Sequence, residues 1–323
     1  MPAEWVRVRA PATIANVGPG FDVFCLAVRG PSDEVSVRRA REDALEVEGV
    51  GAESLPTTFT ENTAGIVIGA LRRATGILQP VQVRVRKGIP PGRGLGSSAA
   101  SCAAAALAFA KTFPKARSLG LAGLIHAAVE GEAAVSGRHY DNVCGALLGG
   151  FVSIASTQPL ILAREPVSPR IHLAIAIPER ILRTSDMRQV LPVIVPFREA
   201  VGNVGRAATL AMALVRGDAR LAGRCLEDRI VEPVRAPFIP GCAEARSAAL
   251  ESGATGFSIS GSGSSVFAIA GDRTRARRAA QAMCEAFAAR GIRANPLATT
   301  VDSRVPLAIV LPKLGRRFSV VAD

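Results

Sequence analysis

Residues 88–100 read GIPPGRGLGSSAA, and this stretch decides how the rest of the chain is interpreted. It follows Val81 to Arg86, where apolar and polar residues alternate as in a half-buried strand. It opens into an alanine-rich segment, Ser97 to Ala110, which predicts a helix that ends before Pro114. The amino end of a helix presents unpaired backbone N–H groups and partial positive charge. The stretch therefore predicts a loop that binds phosphate.

Two other phosphate-binding patterns do not fit these residues. The P-loop needs a lysine directly before its serine or threonine, and Gly96 stands there instead. The dinucleotide-binding pattern needs G-x-G-x-x-G, whereas Gly92, Gly94 and Gly96 are separated by single residues. A simple strand-to-helix turn capped by serine is the other alternative. The small side chains after the glycines favour a ligand site, because they leave room for a ligand.

The stretch resembles the phosphate motif of the GHMP kinases, P-x-x-x-G-L-G-S-S-A-A, with Pro90 in the first position. This family phosphorylates small molecules, among them galactose, homoserine and mevalonate. The resemblance implies that ATP contacts ten residues, one upstream and nine in the loop: Asn62, Pro91, Gly92, Arg93, Gly94, Leu95, Gly96, Ser97, Ser98 and Ala99.

Three further segments are similar to GHMP kinase motifs, in the family's order. Residues 11–22 (PATIANVGPGFD) look like the amino-terminal signature of one branch, the homoserine kinases. Residues 253–267 (GATGFSISGSGSSVF) look like the carboxyl-terminal motif, which packs against the phosphate loop. Residues 131–143 (GEAAVSGRHYDNV) resemble the segment that supplies a magnesium ligand. The resemblance therefore implies that Glu132 and Ser98 hold Mg²⁺.

Homoserine carries a carboxylate and an ammonium group, and each needs a partner in the site. Arginine suits carboxylate recognition, and the resemblance implies Arg188 and Arg235, which lie in strings similar to the family's. It also implies that Asp22, with Asn16, binds the ammonium group. His139 is expected to contact the substrate.

The substrate hydroxyl must be directed at the γ-phosphate of ATP. The resemblance implies that Asn142 orients this hydroxyl, and the neighbouring Asp141 is the alternative because other GHMP kinases use an aspartate base. The implied activity is ATP-dependent phosphorylation of L-homoserine to O-phospho-L-homoserine, in threonine biosynthesis. A mevalonate or sugar kinase is one alternative, and a non-catalytic ligand sensor is another. An acid at Asp22 favours an amino-acid substrate, because mevalonate has no ammonium group.

The resemblance implies a two-domain α+β fold. An ATP-binding domain similar to domain 2 of ribosomal protein S5 is expected over residues 1–157, and a ferredoxin-like domain over residues 158–302. Strands interleave with helices without regular βαβ spacing, in keeping with α+β halves. Residues 303–323 are interpreted as an extension.

Composition excludes several other classes of protein. The formal charge is +12, but the basic residues are scattered and the chain has one Trp and one Tyr, so nucleic-acid binding is not expected. The longest apolar run, Ala99 to Ala110, is too short to span a bilayer. Six cysteines without a C-x-x-C pair argue against a zinc site. The amino terminus lacks a secretory pattern, so a cytoplasmic location is expected. A homodimer is left open.

Overall fold

The computed structural model describes residues 4–322, whose strands form two sheets. The amino-terminal half contains β1 (Val6–Ala15), β2 (Phe24–Arg39), β3 (Ala44–Gly49), α1 (Thr63–Thr75), β4 (Val81–Lys87), α2 (Ser97–Thr112), α3 (Gly120–Ala133), α4 (Asp141–Leu148), β5 (Phe151–Thr157) and β6 (Leu160–Glu165). The carboxyl-terminal half contains β7 (His172–Pro178), α5 (Thr184–Gln189), α6 (Phe197–Arg216), α7 (Ala219–Arg224), α8 (Glu232–Arg235), α9 (Cys242–Glu251), β8 (Gly256–Ile259), β9 (Val266–Ala270), α10 (Arg273–Ala288), β10 (Ala294–Thr300) and β11 (Phe318–Ala322). Short 3-10 helices cover Ala52–Ser54, Pro114–Leu119, Ala236–Phe238 and Pro306–Ile309.

The first sheet has the strand order β11-β6-β5-β2-β4-β3, and β1 pairs with the long strand β2. β3 and β4 are parallel, and the other neighbours are antiparallel. In β4 the side chains of Val81, Val83 and Val85 are buried, whereas Arg84 and Arg86 face solvent. The alternation in the sequence therefore predicted this strand correctly.

Helix α2 lies at the centre of the amino-terminal half. It packs against β1 and β2 on one side and against α1, α3 and α4 on the others. Its residues from Ala99 to Ala110 are all buried. A helix that is apolar all round belongs in a core, and small alanine side chains let its neighbours approach closely. The phosphate loop therefore leads into a helix that is held on every side.

The second sheet has the strand order β10-β7-β9-β8 and is antiparallel throughout. A β-α-β-β-α-β succession with this order is the ferredoxin-like arrangement. One face of the sheet packs on α9 and α10, through side chains such as Phe257, Met283 and Phe287. The other face joins the core of the first half, through Leu173 and Phe267 among others. The predicted two-domain α+β fold is confirmed.

The predicted division after residue 157 falls in a hairpin of the first sheet. Strand β6 pairs with β5 from Phe151↔Glu165 to Thr157↔Leu160, so the amino-terminal sheet continues to Glu165. The segment interpreted as an extension returns as β11, which pairs with β6 from Phe318↔Arg164 to Ala322↔Leu160. On sheet pairing, a division after Glu165 fits better, and β11 belongs with the first half. The sequence did not indicate this boundary, because strand pairing joins residues that are far apart in sequence.

The described residues also show the state of the cysteines, of metal-ligand groups and of apolar helices. All six cysteines are buried and free. Over residues 4–322 the structure contains no group of three or more His, Cys, Asp or Glu side chains that could hold a metal ion. Among the helices described, none has the length and apolar character needed to cross a membrane.

Candidate active site

A cleft with a cavity volume of about 380 Å³ lies between the phosphate loop and the residues that follow β7. It brings together nearly all of the residues singled out in the sequence: Asn16, Asp22, Asn62, Pro91, Gly92, Arg93, Gly94, Leu95, Gly96, Ser97, Ser98, Glu132, His139, Asp141, Asn142, Arg188 and Arg235. Ala99 does not line the cleft, because its side chain is buried inside the core around α2.

The phosphate loop is fixed between β1 and the loop at residues 260–265. The carbonyl of Leu95 accepts from the backbone N–H of Thr13 at 3.0 Å. The carbonyl of Gly94 accepts from Ser260 Oγ at 2.6 Å, and that of Arg93 accepts from the Ser265 N–H at 3.2 Å. The carboxyl-terminal motif therefore packs against the phosphate loop, as expected.

Packing is the reason for two of the loop glycines. Gly94 has φ +73°, and a Cβ there would lie 2.3 Å from the carbonyl oxygen of Ser260. Gly96 has φ +65°, and a Cβ there would lie 1.9 Å from Thr13 Oγ1. Larger residues are excluded at both positions by neighbouring protein atoms.

The two serines of the motif differ in what their hydroxyls contact. Ser97 is buried, and its Oγ donates to the carbonyl of Ile89 at 2.8 Å, so this hydroxyl fixes the loop. Ser98 Oγ donates to Glu132 Oε2 at 2.6 Å. Only the second hydroxyl is paired with an acid in the cleft. The amino terminus of α2 has no side-chain cap, which leaves backbone N–H groups for a ligand.

Glu132 stands on α3 with its carboxylate between two serines. Oε1 accepts from Ser136 Oγ at 2.5 Å and Oε2 accepts from Ser98 Oγ at 2.6 Å. Burial raises the pKa of Glu132, and the two serine hydrogen bonds oppose that shift. Carboxylate and hydroxyl oxygens are ligands that Mg²⁺ accepts. The donor set of Ser98 and Glu132 therefore fits a magnesium ion.

The amino-terminal signature lines another part of the cleft. Asn16 and Asp22 both have positive φ, +70° and +57°, in a loop after β1. The Asp22 N–H donates to Asn16 Oδ1 at 3.2 Å, and Asn16 Nδ2 donates to the carbonyl of Gly261 at 3.0 Å. Asn16 therefore shapes the loop, whereas the Asp22 carboxylate projects from it and accepts from Arg188 Nη2 at 2.6 Å.

Arg235 lies beside this pair and is buried. Its Nη1 donates to the carbonyl of Gly261 at 3.0 Å, and its guanidinium stands 5.1 Å from the centre of the Phe21 ring. Arg188 stands over the same ring at 5.3 Å. Burial, and then repulsion by Arg188, lowers the pKa of Arg235 to about 10. Two guanidinium groups thus lie close to one aromatic ring in the cleft, where both can contact an anionic group.

His139 lies between Arg188 and Ser136 and contacts both. Its Nε2 donates to the carbonyl of Ser136 at 2.8 Å, and its Nδ1 accepts from Arg188 Nη2 at 2.9 Å. Burial and the positive charge of Arg188 lower the pKa of His139. The ring is therefore neutral near pH 7 and holds the Arg188 guanidinium in place.

Asp141 and Asn142 begin α4, facing the cleft. Thr13 Oγ1 donates to Asn142 Oδ1 at 2.7 Å, which fixes the amide and turns its Nδ2 away from Thr13. Asp141 Oδ1 accepts the Asn142 N–H at 2.7 Å. Burial, and then the charge of Asp22, raises the pKa of Asp141 to about 7. An acid that titrates near neutrality in a cleft is suited to accepting a proton.

Asn62 lines the cleft, but its amide is engaged in capping α1. Its Oδ1 accepts from the Ala64 N–H at 3.0 Å and its Nδ2 donates to the carbonyl of Pro56 at 2.8 Å. Each atom keeps capacity for one more hydrogen bond, because an amide nitrogen has two N–H groups and an amide oxygen two lone pairs. The contact of Asn62 with ATP therefore stays a prediction.

Several residues of the site were missed in the sequence. Phe21 was quoted within the amino-terminal signature without a role, and Thr13 likewise. Asp33 and Lys87 form a buried ion pair beneath the phosphate loop. A lysine at the end of a strand carries no sequence signal of its own. The phenylalanine beside Asp22 was the one clue that could have been used.

Comparisons with known proteins agree with this geometry. The family model described as the GHMP kinases N terminal domain matches residues 62–150, and that for the GHMP kinases C terminal domain matches residues 210–289. The homoserine kinase of Halorubrum lacusprofundi is 41% identical over 297 residues, which cover 92% of this chain and 97% of that protein. The homoserine kinase of Thermococcus gammatolerans is also 41% identical, over 91% of this chain and 97% of its own.

A solved structure gives the same result. The crystal structure of homoserine kinase from Cytophaga hutchinsonii matches with a TM-score of 0.85 at 37% identity, covering 92% of this chain and 95% of its own. Relatives of this similarity, matched over nearly their full lengths, share more than a fold. The chain therefore belongs to the GHMP kinase family, and within it to the homoserine kinases.

Proposed function

We propose that this chain transfers the γ-phosphoryl group of ATP to the hydroxyl of L-homoserine, giving O-phospho-L-homoserine and ADP, as a step of threonine biosynthesis. The observation that carries this proposal is the arrangement of charges in one cleft. One group is the phosphate loop with the Ser98–Glu132 pair, and the other is Asp22 with Arg188 and Arg235. A small zwitterion with a hydroxyl is complementary to the second group.

ATP would lie with its phosphates at the amino terminus of α2, where backbone N–H groups and partial positive charge favour anions. Ser98 Oγ and the Glu132 carboxylate would hold Mg²⁺. When bound, the ion offsets negative charge on the β- and γ-phosphates. The fixed loop contacts at Leu95, Gly94 and Arg93 keep this cradle in shape before ATP arrives.

Homoserine would bind with its carboxylate between Arg188 and Arg235 and its ammonium group at Asp22. Asn142, held by Thr13, would orient the hydroxyl. The hydroxyl oxygen forms a bond to the γ-phosphorus while the bond to the β,γ-bridging oxygen breaks and ADP leaves. The proton goes to the ionised carboxylate of Asp141. Phosphoryl transfer depends mainly on positioning and charge stabilisation, and all of these residues contribute to one or the other.

Two alternatives are less consistent with the site. Mevalonate offers no ammonium group to Asp22, so a mevalonate kinase would leave this acid unused. A non-catalytic ligand sensor would not need the paired oxygens of Ser98 and Glu132, which are present and 2.6 Å apart. The cytoplasmic location stays a prediction, and the homodimer stays open.

The proposal is tested by assaying the purified chain with Mg-ATP and homoserine, mevalonate or galactose, with ADP release and phosphorus NMR as readouts. We expect ADP release and a new phosphomonoester signal with homoserine only. A phosphomonoester formed from mevalonate or galactose at a comparable rate would contradict the proposal. A variant lacking the acid at position 132, Glu132→Gln, is the control for contaminating kinase.

A further inference from the structure

A buried cluster of three residues lies directly beneath the phosphate loop. Asp33 comes from β2, Lys87 from the end of β4 and Ser101 from the second turn of α2. Lys87 Nζ and Asp33 Oδ2 form an ion pair whose side chains are 3% and 0% exposed. Ser101 Oγ lies 2.8 Å from Lys87 Nζ and donates to Asp33 Oδ2 at 2.7 Å. A buried ion pair costs desolvation energy and contributes little to stability by itself. Stability alone therefore does not explain why this pair lies beneath the loop.

The cluster ties the two ends of the loop together. At the start of the loop, Asp33 Oδ1 accepts the backbone N–H groups of Gly88 at 3.0 Å and Ile89 at 3.1 Å. At its end, Lys87 Nζ donates to the carbonyl of Ser97 at 2.9 Å. Ser97 Oγ closes the ring by donating to the carbonyl of Ile89 at 2.8 Å. The entry and the exit of the loop are therefore held in one hydrogen-bonded unit.

The hydrogen-bonding capacity of the pair is fully used inside the protein. The ammonium group of Lys87 has three N–H donors, and it has three acceptors: Asp33 Oδ2, Ser97 O and Ser101 Oγ. Each carboxylate oxygen of Asp33 accepts two hydrogen bonds. Although Lys87 lines the cleft, it has no donor left for a phosphate oxygen.

We propose that Asp33 and Lys87 are positioning residues that set the shape of the phosphate loop for ATP, and that Lys87 acts through Asp33 and Ser97 without binding phosphate. This inference rests on the proposed kinase function. The alternative is that Lys87 turns from Asp33 to contact a phosphate group directly. The two accounts differ in what the loss of Asp33 does. If the pair positions the loop, the loss of Asp33 lowers the affinity for Mg-ADP. If Lys87 binds phosphate directly, the loss of Asp33 frees Lys87 and keeps or raises that affinity.

The test uses Asp33→Asn, Lys87→Met and the double variant. Lys111→Met, at an exposed position near the end of α2, is the matched control. Mg-ADP binding is measured by calorimetry, and kcat and the KM values for ATP and homoserine by steady-state kinetics. For each single variant we expect the Kd for Mg-ADP and the KM for ATP to rise on the order of 10–100-fold, as when groups that orient a binding site are removed. The homoserine KM should stay within about two-fold, and the double variant should bind no more weakly than the worse single variant, because both act as one unit.

The proposal is overturned if Asp33→Asn keeps or improves Mg-ADP affinity while Lys87→Met loses it, since Lys87 then binds phosphate itself. It is equally overturned if the variants melt at lower temperature but bind Mg-ADP normally, since the cluster is then only structural. Ser101→Ala is a smaller change that keeps the test usable where Asp33→Asn does not fold, and it should weaken Mg-ADP binding about three-fold or more by the loss of one shared hydrogen bond. Unchanged affinity in Ser101→Ala would count against the proposal. If the wild-type chain phosphorylates no homoserine, the proposed function fails while the Mg-ADP titrations still test the loop.

Discussion

The guanidinium of Arg188 donates to the carboxylate of Asp22 at 2.6 Å, across 166 residues of sequence. These are the residues expected to bind the carboxylate and the ammonium group of the substrate, and in this structure their charges offset each other. Within the described part of the chain, Arg188 Nε is buried and has no hydrogen-bond partner. A zwitterion brings one charge of each sign, so it can replace this pair without leaving either residue unpaired. A ligand with a carboxylate alone cannot.

The first prediction concerns Asp22. The variant Asp22→Asn should raise the KM for homoserine about 30-fold. This is near the lower end of the increase expected when a charged group loses its partner, because Asp22 keeps some solvent contact. The wild-type chain should reject 4-hydroxybutyrate, which lacks the amine, and the preference for homoserine over it should shrink in the variant. Initial rates with both substrates check this. Equal use of the two substrates by the wild type would remove Asp22 from ammonium recognition.

Arg235 gives a second prediction, on the carboxylate of the substrate. Because Arg235 is 3% exposed, Arg235→Leu should raise the homoserine KM by roughly 30-fold to several thousand-fold, with little change in the KM for ATP. Arg220→Leu, at an exposed position on α7, is the matched control. A variant that loses ATP and homoserine affinity in parallel would contradict the assignment, since that pattern indicates a collapsed cleft.

A third prediction tests the metal site. Glu132→Gln should lower kcat/KM about 10–100-fold or more and raise the Mg²⁺ concentration needed for half-maximal rate, because a ligand carboxylate is lost. Ser98→Ala should bind ATP yet lose most of its turnover. Glu130→Gln, on the same helix but paired with Arg138 at the surface, is the control. Normal rates at low Mg²⁺ in Glu132→Gln would show that this acid does not hold the ion.

Asp141 predicts a dependence of the rate on pH. Its pKa of about 7 means that the carboxylate is mostly protonated below neutrality and ionised above it. If the ionised form accepts the proton of the substrate, kcat/KM should rise as the pH increases through about 7, and Asp141→Asn should lose this rise. Rates measured from pH 5.5 to about 9 check the prediction. A flat wild-type profile would leave Asn142 as the residue that acts on the hydroxyl.

The same group predicts an effect on stability, with a definite sign. The pKa of Asp141 is raised from 3.8 in the unfolded chain to about 7 in the fold, so the folded state binds the proton more tightly and loses stability as the pH rises between these values. Asp141→Asn removes an ionised group from a buried position. It should therefore be more stable than the wild type at pH 8, by on the order of 1–4 kcal/mol, with the difference gone near pH 4. Thermal unfolding at both pH values measures this, and a variant less stable at pH 8 would contradict it.

The last prediction concerns the segment that follows Asp302. The buried side chain of Arg164 donates to the carbonyls of Leu148 and Gly149, at the end of α4, and to that of Ser303 at 2.6 Å and that of Arg316. Deleting residues 303–323 removes two of these acceptors and uncovers the edge of β6. The cost should be about 3 kcal/mol or more, because a buried charge loses partners.

Denaturant unfolding of the deleted chain checks this expectation. Arg164→Met provides the control: it should destabilise the full chain, but have a smaller effect once residues 303–323 are gone, because part of its role has already been lost. Identical stability of the deleted and full chains would show that β11 is dispensable.

Much of the fold could be predicted because its signals are local. The strand before the phosphate loop, the loop and helix α2 are contiguous, and their pattern of alternation, glycines and small residues was sufficient. Helix α4 was missed, since eight residues are too few to establish a helical period.

The sequence by itself determined the family, the two-domain α+β fold and many of the residues that line the cleft, because each is encoded in short motifs that occur in the family's order. The tertiary structure alone decided which of these residues touch. It paired Arg188 with Asp22, placed the Asp33–Lys87 pair under the loop across 54 residues of sequence, and returned β11 to the first sheet. Such contacts depend on strand pairing and burial between distant segments, for which a single sequence contains no periodic signal.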